Sequence, residues 1–122
     1  MSPRPQEQSM VIFEERDGNV LTLRLEGRLD GETCGEADRR FGEAADAADP
    51  IAVVLDCSTL AYISSAGLRS ILVLGKRQRS ANRGFALAAP SATVQEILAL
   101  SGFSSLFAIH PDVGAAIAAL QA

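Results

Sequence analysis

The amino-acid sequence reads as one α/β domain: a mixed sheet of four to five strands that opens with an antiparallel hairpin, accompanied by about four helices. Two β-rich stretches, Val11–Arg16 and Val20–Glu26, flank the turn signal Asp17-Gly18-Asn19. Ile51–Leu55 is continuously apolar and partly β-branched, as in a strand buried on both faces of a largely parallel sheet. Helical and strand-like patterns then alternate to the end of the chain, which calls for crossover connections. The 122 residues suit one domain with its own hydrophobic core.

In Val20–Glu26, Leu21, Leu23 and Leu25 share one face and Thr22, Arg24 and Glu26 the other, so the hairpin has one covered face. Gly27-Arg28-Leu29-Asp30-Gly31 breaks the alternation and is expected to be a loop. A helix is expected from Thr33. Thr33 and Glu36 have capping-box spacing, and Ala37, Phe41, Ala44, Ala45 and Ala48 form an apolar stripe that Asp49-Pro50 ends. After the apolar strand, Asp56–Ser64 is expected to be a loop. It feeds a second helix from Ser65 or Ala66 to Arg79, with Leu68, Ile71, Leu72 and Gly75 toward the sheet. Gly84 leads into a strand, Phe85–Ala89. Pro90-Ser91 opens a third helix, in which Val94, Ile97 and Leu98 face inward and which Gly102 ends. A short strand, Leu106–Ile109, then meets Pro111-Asp112, which caps a final helix carrying Val113, Ile117 and Leu120.

Composition narrows the function classes. Apolar residues make up 48% and charged residues 21%, values of an ordinary globular protein. The apolar run at Ile71–Leu74 is far too short to span a bilayer. The first residues, MSPRPQEQSM, lack the apolar core of a signal peptide; residues 1–9 read as a disordered lead-in to a domain over 10–121, and a cytoplasmic location follows as the expectation. A net charge of −4 gives no electrostatic footprint for nucleic acid. Lys76, Arg77, Arg79 and Arg83 are a local exception that suits a helix C-terminus, where cations meet the negative end of the dipole. Cys34 and Cys57 lack CxxC spacing and His110 lacks a partner at ligand spacing, so no zinc site or Cys/His pair assembles. Neither a metal nor a cofactor is expected.

The informative segment is Leu55-Asp56-Cys57-Ser58-Thr59-Leu60-Ala61-Tyr62-Ile63-Ser64-Ser65-Ala66-Gly67-Leu68-Arg69, which runs from a buried strand through a polar stretch into a helix start. Helix N-termini present unpaired N–H groups and a positive dipole end, so serine is at home there as a cap and an anion is favoured. Gly67 fits close packing of helix on sheet.

This segment resembles the signature of STAS domains in bacterial anti-sigma factor antagonists. Gly27-Arg28-Leu29-Asp30 is similar to that family's loop after the second strand. Pro90, Val94 to Leu98, Ser101-Gly102-Phe103 and Leu106-Phe107 are similar to its third helix and last strand, so the resemblance covers about residues 10–121. It implies a phosphoacceptor two positions before the signature glycine, which is Ser65, with Ser64 as second choice. It further implies that Asp30 lies near the acceptor, and that Ser64, Ala66, Gly67, Leu68 and Arg69 belong to a partner-binding surface. Two positions depart from the common pattern: Ser64 stands where many members carry Asp, and Ala66 where many carry Ser or Thr.

The resemblance implies partners rather than catalysis. The unphosphorylated form would bind an anti-sigma factor, often a serine kinase with a GHKL-type ATP site, and free the sigma factor. Phosphorylation would end binding and a serine phosphatase would restore it, with no direct contact to nucleic acid or membrane. A STAS subunit of an ABC-type phospholipid-transport complex or a stressosome-like scaffold is the alternative. A hydrolase would need a base beside Ser64 or Ser65, and His110 falls on a distant strand with no Gly-x-Ser-x-Gly elbow in the chain.

Overall fold

A computed structural model of the chain describes residues 10–49 and 51–121; the expected lead-in over 1–9 and the Pro50 helix stop lie outside them. Strands β1 (Val11–Asp17) and β2 (Val20–Leu29) form the expected antiparallel hairpin, with Asp17 opposite Val20 at the turn. The chain continues through α1 (Cys34–Ala45), β3 (Ala52–Asp56), β4 (Leu60–Ile63), α2 (Ser65–Ser80) and β5 (Phe85–Ala88). It closes with α3 (Ala92–Leu100), the one-turn α4 (Phe103–Leu106), β6 (Ala108–His110) and α5 (Val113–Gln121). The sheet order is β1-β2-β3-β5-β6, with β4 beside β2, and every pairing other than β1 with β2 is parallel.

The two faces of the sheet carry different cores. Leu23, Leu25, Val53, Leu55 and Leu87 point to one side, where they pack against Ala37 and Phe41 of α1, Ile71 and Leu74 of α2, and Leu98 of α3. On the other side Val20, Ala52, Val54, Ala86 and Ala88 meet Ala116 of α5, with Val113, Ile117 and Leu120 around them. Residues 51–55 are all buried, which is why that stretch is continuously apolar instead of alternating, and Asp56 at the end of β3 is buried as well. The small alanines on the second face let the short α5 sit close to the sheet.

Three elements differ from the sequence expectation. The segment 27–29 is not loop: Gly27, at φ 111°, kinks β2, which then runs on to Leu29. Leu60–Ile63, expected as loop, is a strand, β4. Gly27 pairs with Leu60 and Arg28 with Tyr62, so Ala61 is an extra residue, and the buried pair Leu60 and Ile63 shows no period-two pattern. The third difference follows α3, where Phe103–Leu106 forms a helical turn and the last strand begins only at Ala108. Phe103 and Phe107 are thereby turned inward, with Phe107 edge-on to Phe85 at 5.2 Å.

At the start of α1 the expected capping box does not form. Thr33 makes no side-chain cap bond; it is buried, and its hydroxyl donates to Arg28 O at 2.7 Å and accepts from Asp30 N at 2.9 Å. In this way the Thr33 hydroxyl gives partners to part-buried backbone groups at the end of β2 and the start of the following turn. Glu36 pairs instead with Arg39 at 2.7 Å. The helix ends at Ala45, so Ala48 lies beyond it.

Candidate functional site

Two parallel strands end side by side and define the site. Leu29 of β2 pairs with Ile63 of β4, and the backbone N–H of Ser64 donates to Leu29 O at 2.9 Å. Asp30 and Ser64 are therefore the first residues to leave neighbouring strands at the same end. This register brings the Asp30 loop against the N-terminus of α2.

Ser64, not Ser65, is the N-cap of α2. Its backbone is extended, its Oγ accepts from Gly67 N–H at 3.2 Å, and its carbonyl accepts from Leu68 N–H at 2.8 Å. Ser65 is the first helical residue; it is exposed, and its hydroxyl has no hydrogen-bond partner among the described residues. Gly67 is buried for a steric reason. A Cβ there would lie 2.4 Å from Leu29 O and 2.7 Å from Leu29 Cγ, so only glycine lets the helix start this close to β2.

Asp30 is tied into its own loop. Its Oδ1 accepts from Glu32 N–H at 3.0 Å and Thr33 N–H at 3.3 Å, and its carbonyl accepts from Cys34 N–H, so it acts as the turn that starts α1. Desolvation pushes the Asp30 carboxyl up, but the bonds from Glu32, Thr33 and Arg28 outweigh it and hold the group below its ordinary value. The Arg28 guanidinium lies 3.5 Å from Asp30 Oδ2 and 4.6 Å above the Tyr62 ring. The surface beside Ser65 thus includes Arg28 and the exposed Tyr62, two residues that the sequence alone does not single out. Their signal was the strand pairing that puts them opposite each other, which is invisible until β4 is known to be a strand.

Leu68 and Arg69 were both expected on the partner-binding surface. Arg69 is exposed, whereas Leu68 is half-buried and packs against the core. Ala66 and Arg69 border a groove of about 440 Å³ between α1 and α2, with Phe41, Val73 and Leu74 on its apolar floor and Asp38 on the opposite wall.

Groups outside this surface offer little chemistry. His110 ends β6 at the far side of the sheet from β2 and β4, where it pairs with Ala88. Cys57 is fully buried, and burial together with the neighbouring Asp56 carboxylate pushes its thiol up to about 12. Among the described residues no cluster of His, Cys, Asp or Glu suits a metal, and no helix is long and apolar enough to cross a membrane. The basic cluster is largely occupied within the chain: Arg77 pairs with Asp46, Arg83 donates to Ala45 O, and Arg79 donates to Leu106 O and lies over the Phe107 ring.

Comparison with known proteins matches the STAS domain family model to residues 11–116. The chain is 30% identical to BtrV of Bordetella bronchiseptica, described as an anti-sigma factor antagonist, across 92% of this chain and 96% of that protein. It is 34% identical to a STAS-domain containing protein of Pseudomonas aeruginosa, across 83% of this chain and 98% of the relative. Among solved structures, an anti-sigma factor antagonist from Mycobacterium paratuberculosis superposes with a TM-score of 0.86 at 21% identity, covering 94% of this chain and 97% of that one.

Proposed function

The chain belongs to the STAS domain family, and on that premise we propose that it is an anti-sigma factor antagonist whose binding is switched by phosphorylation of Ser65. The observation that carries the reading is the division of labour between two adjacent serines. Ser64 uses its hydroxyl to cap α2, while Ser65 presents an unengaged hydroxyl to solvent at the positive end of the helix dipole. A kinase can take Ser65 without unfolding the helix start; taking Ser64 removes a cap. The likeness to BtrV supports the antagonist role.

In the unphosphorylated state the chain binds its anti-sigma factor in the cytoplasm through the surface around Asp30, Ser64, Ala66, Gly67, Leu68 and Arg69, and the sigma factor is released. The partner is a serine kinase of the GHKL type, and ATP and Mg²⁺ belong to it. Ser65 Oγ attacks the γ-phosphorus, the bond to the β–γ bridging oxygen breaks, ADP leaves, and a base of the kinase takes the hydroxyl proton. A serine phosphatase reverses the modification with water. The phosphoryl group adds about −1.5 to −2 charges at neutral pH. Desolvated against a partner surface made for a neutral hydroxyl, such a charge costs about 3–5 kcal/mol, which weakens binding roughly a hundredfold or more.

The test is reconstitution with the anti-sigma factor kinase and sigma factor of the same organism. Native chain is expected to release sigma and then lose that ability as ATP is consumed. Ser65→Ala should release sigma and keep doing so, and a chain carrying phosphoserine at 65 should release none. Equal release by the phosphorylated and unphosphorylated forms contradicts the switch.

A further inference from the structure

We propose that a phosphoryl group on Ser65 is gripped by Arg69, which draws this side chain away from the groove between α1 and α2. The proposal rests on Ser65 being the acceptor. Arg69 stands four residues after Ser65 on one helix, a spacing that makes side chains neighbours. Long side chains on a helix lean toward its N-terminus, so Arg69 leans toward Ser65. Arg69 is exposed, and it has no ion-pair partner among the described residues. Its guanidinium is free to make the paired N–H to oxygen bonds that suit phosphate.

The other charges around the position are differently placed. Arg28, at the end of β2, is held by Asp30 and the Tyr62 ring. Arg77, further along α2, is held by Asp46. Asp38 of α1 lines the same groove as Arg69 of α2 and has no ion-pair partner among the described residues. In the unmodified chain Arg69 and Asp38 balance each other's sign on the two walls. Once Arg69 turns to the phosphate, the groove keeps Asp38, the apolar Phe41, Val73 and Leu74, and Arg77, which is already paired with Asp46, so the groove loses its unpaired cation and shifts toward negative charge. Phosphorylation therefore alters the partner surface twice, at the acceptor and in the groove beside it.

The test uses full-length chain with phosphoserine placed at 65 during translation, titrated by ³¹P NMR. A nearby cation favours the dianion, so the phosphate midpoint is expected about half a pH unit lower in the native background than in Arg69→Gln. Arg69→Lys, which keeps the charge but loses the fork, should fall between them. The Arg69 Nε–Hε resonance should also move on phosphorylation. A midpoint that is the same with Arg69 and with Gln at 69, in a variant whose thermal midpoint shows it folded, overturns the proposal. Because translation places the phosphate, the outcome is separate from kinase choice. A kinase that modifies another residue sinks the Ser65 reading and leaves the Arg69 measurement intact, and the reverse also holds.

Discussion

Ser64 accepts a hydrogen bond from Gly67 N–H, whereas the adjacent Ser65 hydroxyl faces solvent. Ser64→Ala should therefore cost about 1 kcal/mol of stability, as loss of a helix cap does, while Ser65→Ala should leave the urea midpoint nearly unchanged. Equal losses would contradict the assignment of the cap. Asp30 gives a pH-dependent counterpart. Its carboxyl is held below the ordinary value of 3.8, so the folded chain stabilises the charged form. That contribution is present above the ordinary value and is lost as pH falls through the lower, folded one. Asp30→Asn should thus be less stable than native chain at neutral pH, and the gap should close on acidification; denaturant melts from pH 7 to pH 3 would measure it. Which serine caps the helix was not legible in the sequence, because either of two adjacent serines satisfies the same preference. It is the hydrogen bond of Ser64 N–H to Leu29 O that fixes Ser64 outside the helix.

The start of α2 depends on one close approach to β2. In Gly67→Ala the new methyl group would fall 2.4 Å from Leu29 O, which is backbone and gives little way. Overpacking of this kind costs about 1–3 kcal/mol, and chemical denaturation should show a loss in that range together with weaker partner binding, because the acceptor moves with the helix. Further along α2, Gln78 is fully buried and its Nε2 donates to Ile51 O at 2.8 Å and Gly84 O at 3.0 Å, tying the helix to the residues that lead into β3 and β5. Gln78→Leu should cost about 1–3 kcal/mol by stranding the Ile51 carbonyl, since Gly84 O keeps the bond from Val53 N–H at 3.0 Å; the cost would be measured as a fall in thermal or urea midpoint, and an unchanged midpoint would mean that water replaces the amide. Strong periodicity made α2 legible in the sequence, but this buried amide was not, since a glutamine near a helix end reads as a solvated residue. β4 escaped for a related reason: it has four residues, an irregular register and no alternation.

Taken as a whole, the molecule separates what holds it together from what it presents. The β3 run, the hairpin and the packing stripes were legible because burial on both faces of a sheet, or on one face of a helix, writes itself into residue order. The site was legible as a motif but not as a geometry, because it is assembled by two strands, β2 and β4, that end together although residues 30–59 of other structure lie between them. At this scale the chain offers the exposed Ser65 hydroxyl, a neighbouring groove and a tethered acidic loop, while its thiol in the core is inert. Native chain should react at Cys57 with a thiol reagent only on unfolding, since burial keeps that group protonated well above neutral pH; fast labelling of Cys57 at pH 8 in the folded state would contradict the packing described. The central claim is that the molecule is switched at Ser65. Phosphosite mapping of the chain isolated from its own cells, beside Ser65→Ala and Ser64→Ala controls, tests it most directly. A single phosphate on Ser65 is expected, absent from Ser65→Ala and retained in Ser64→Ala. A phosphate that persists in Ser65→Ala, or none in growth, stress and stationary phase, would contradict it.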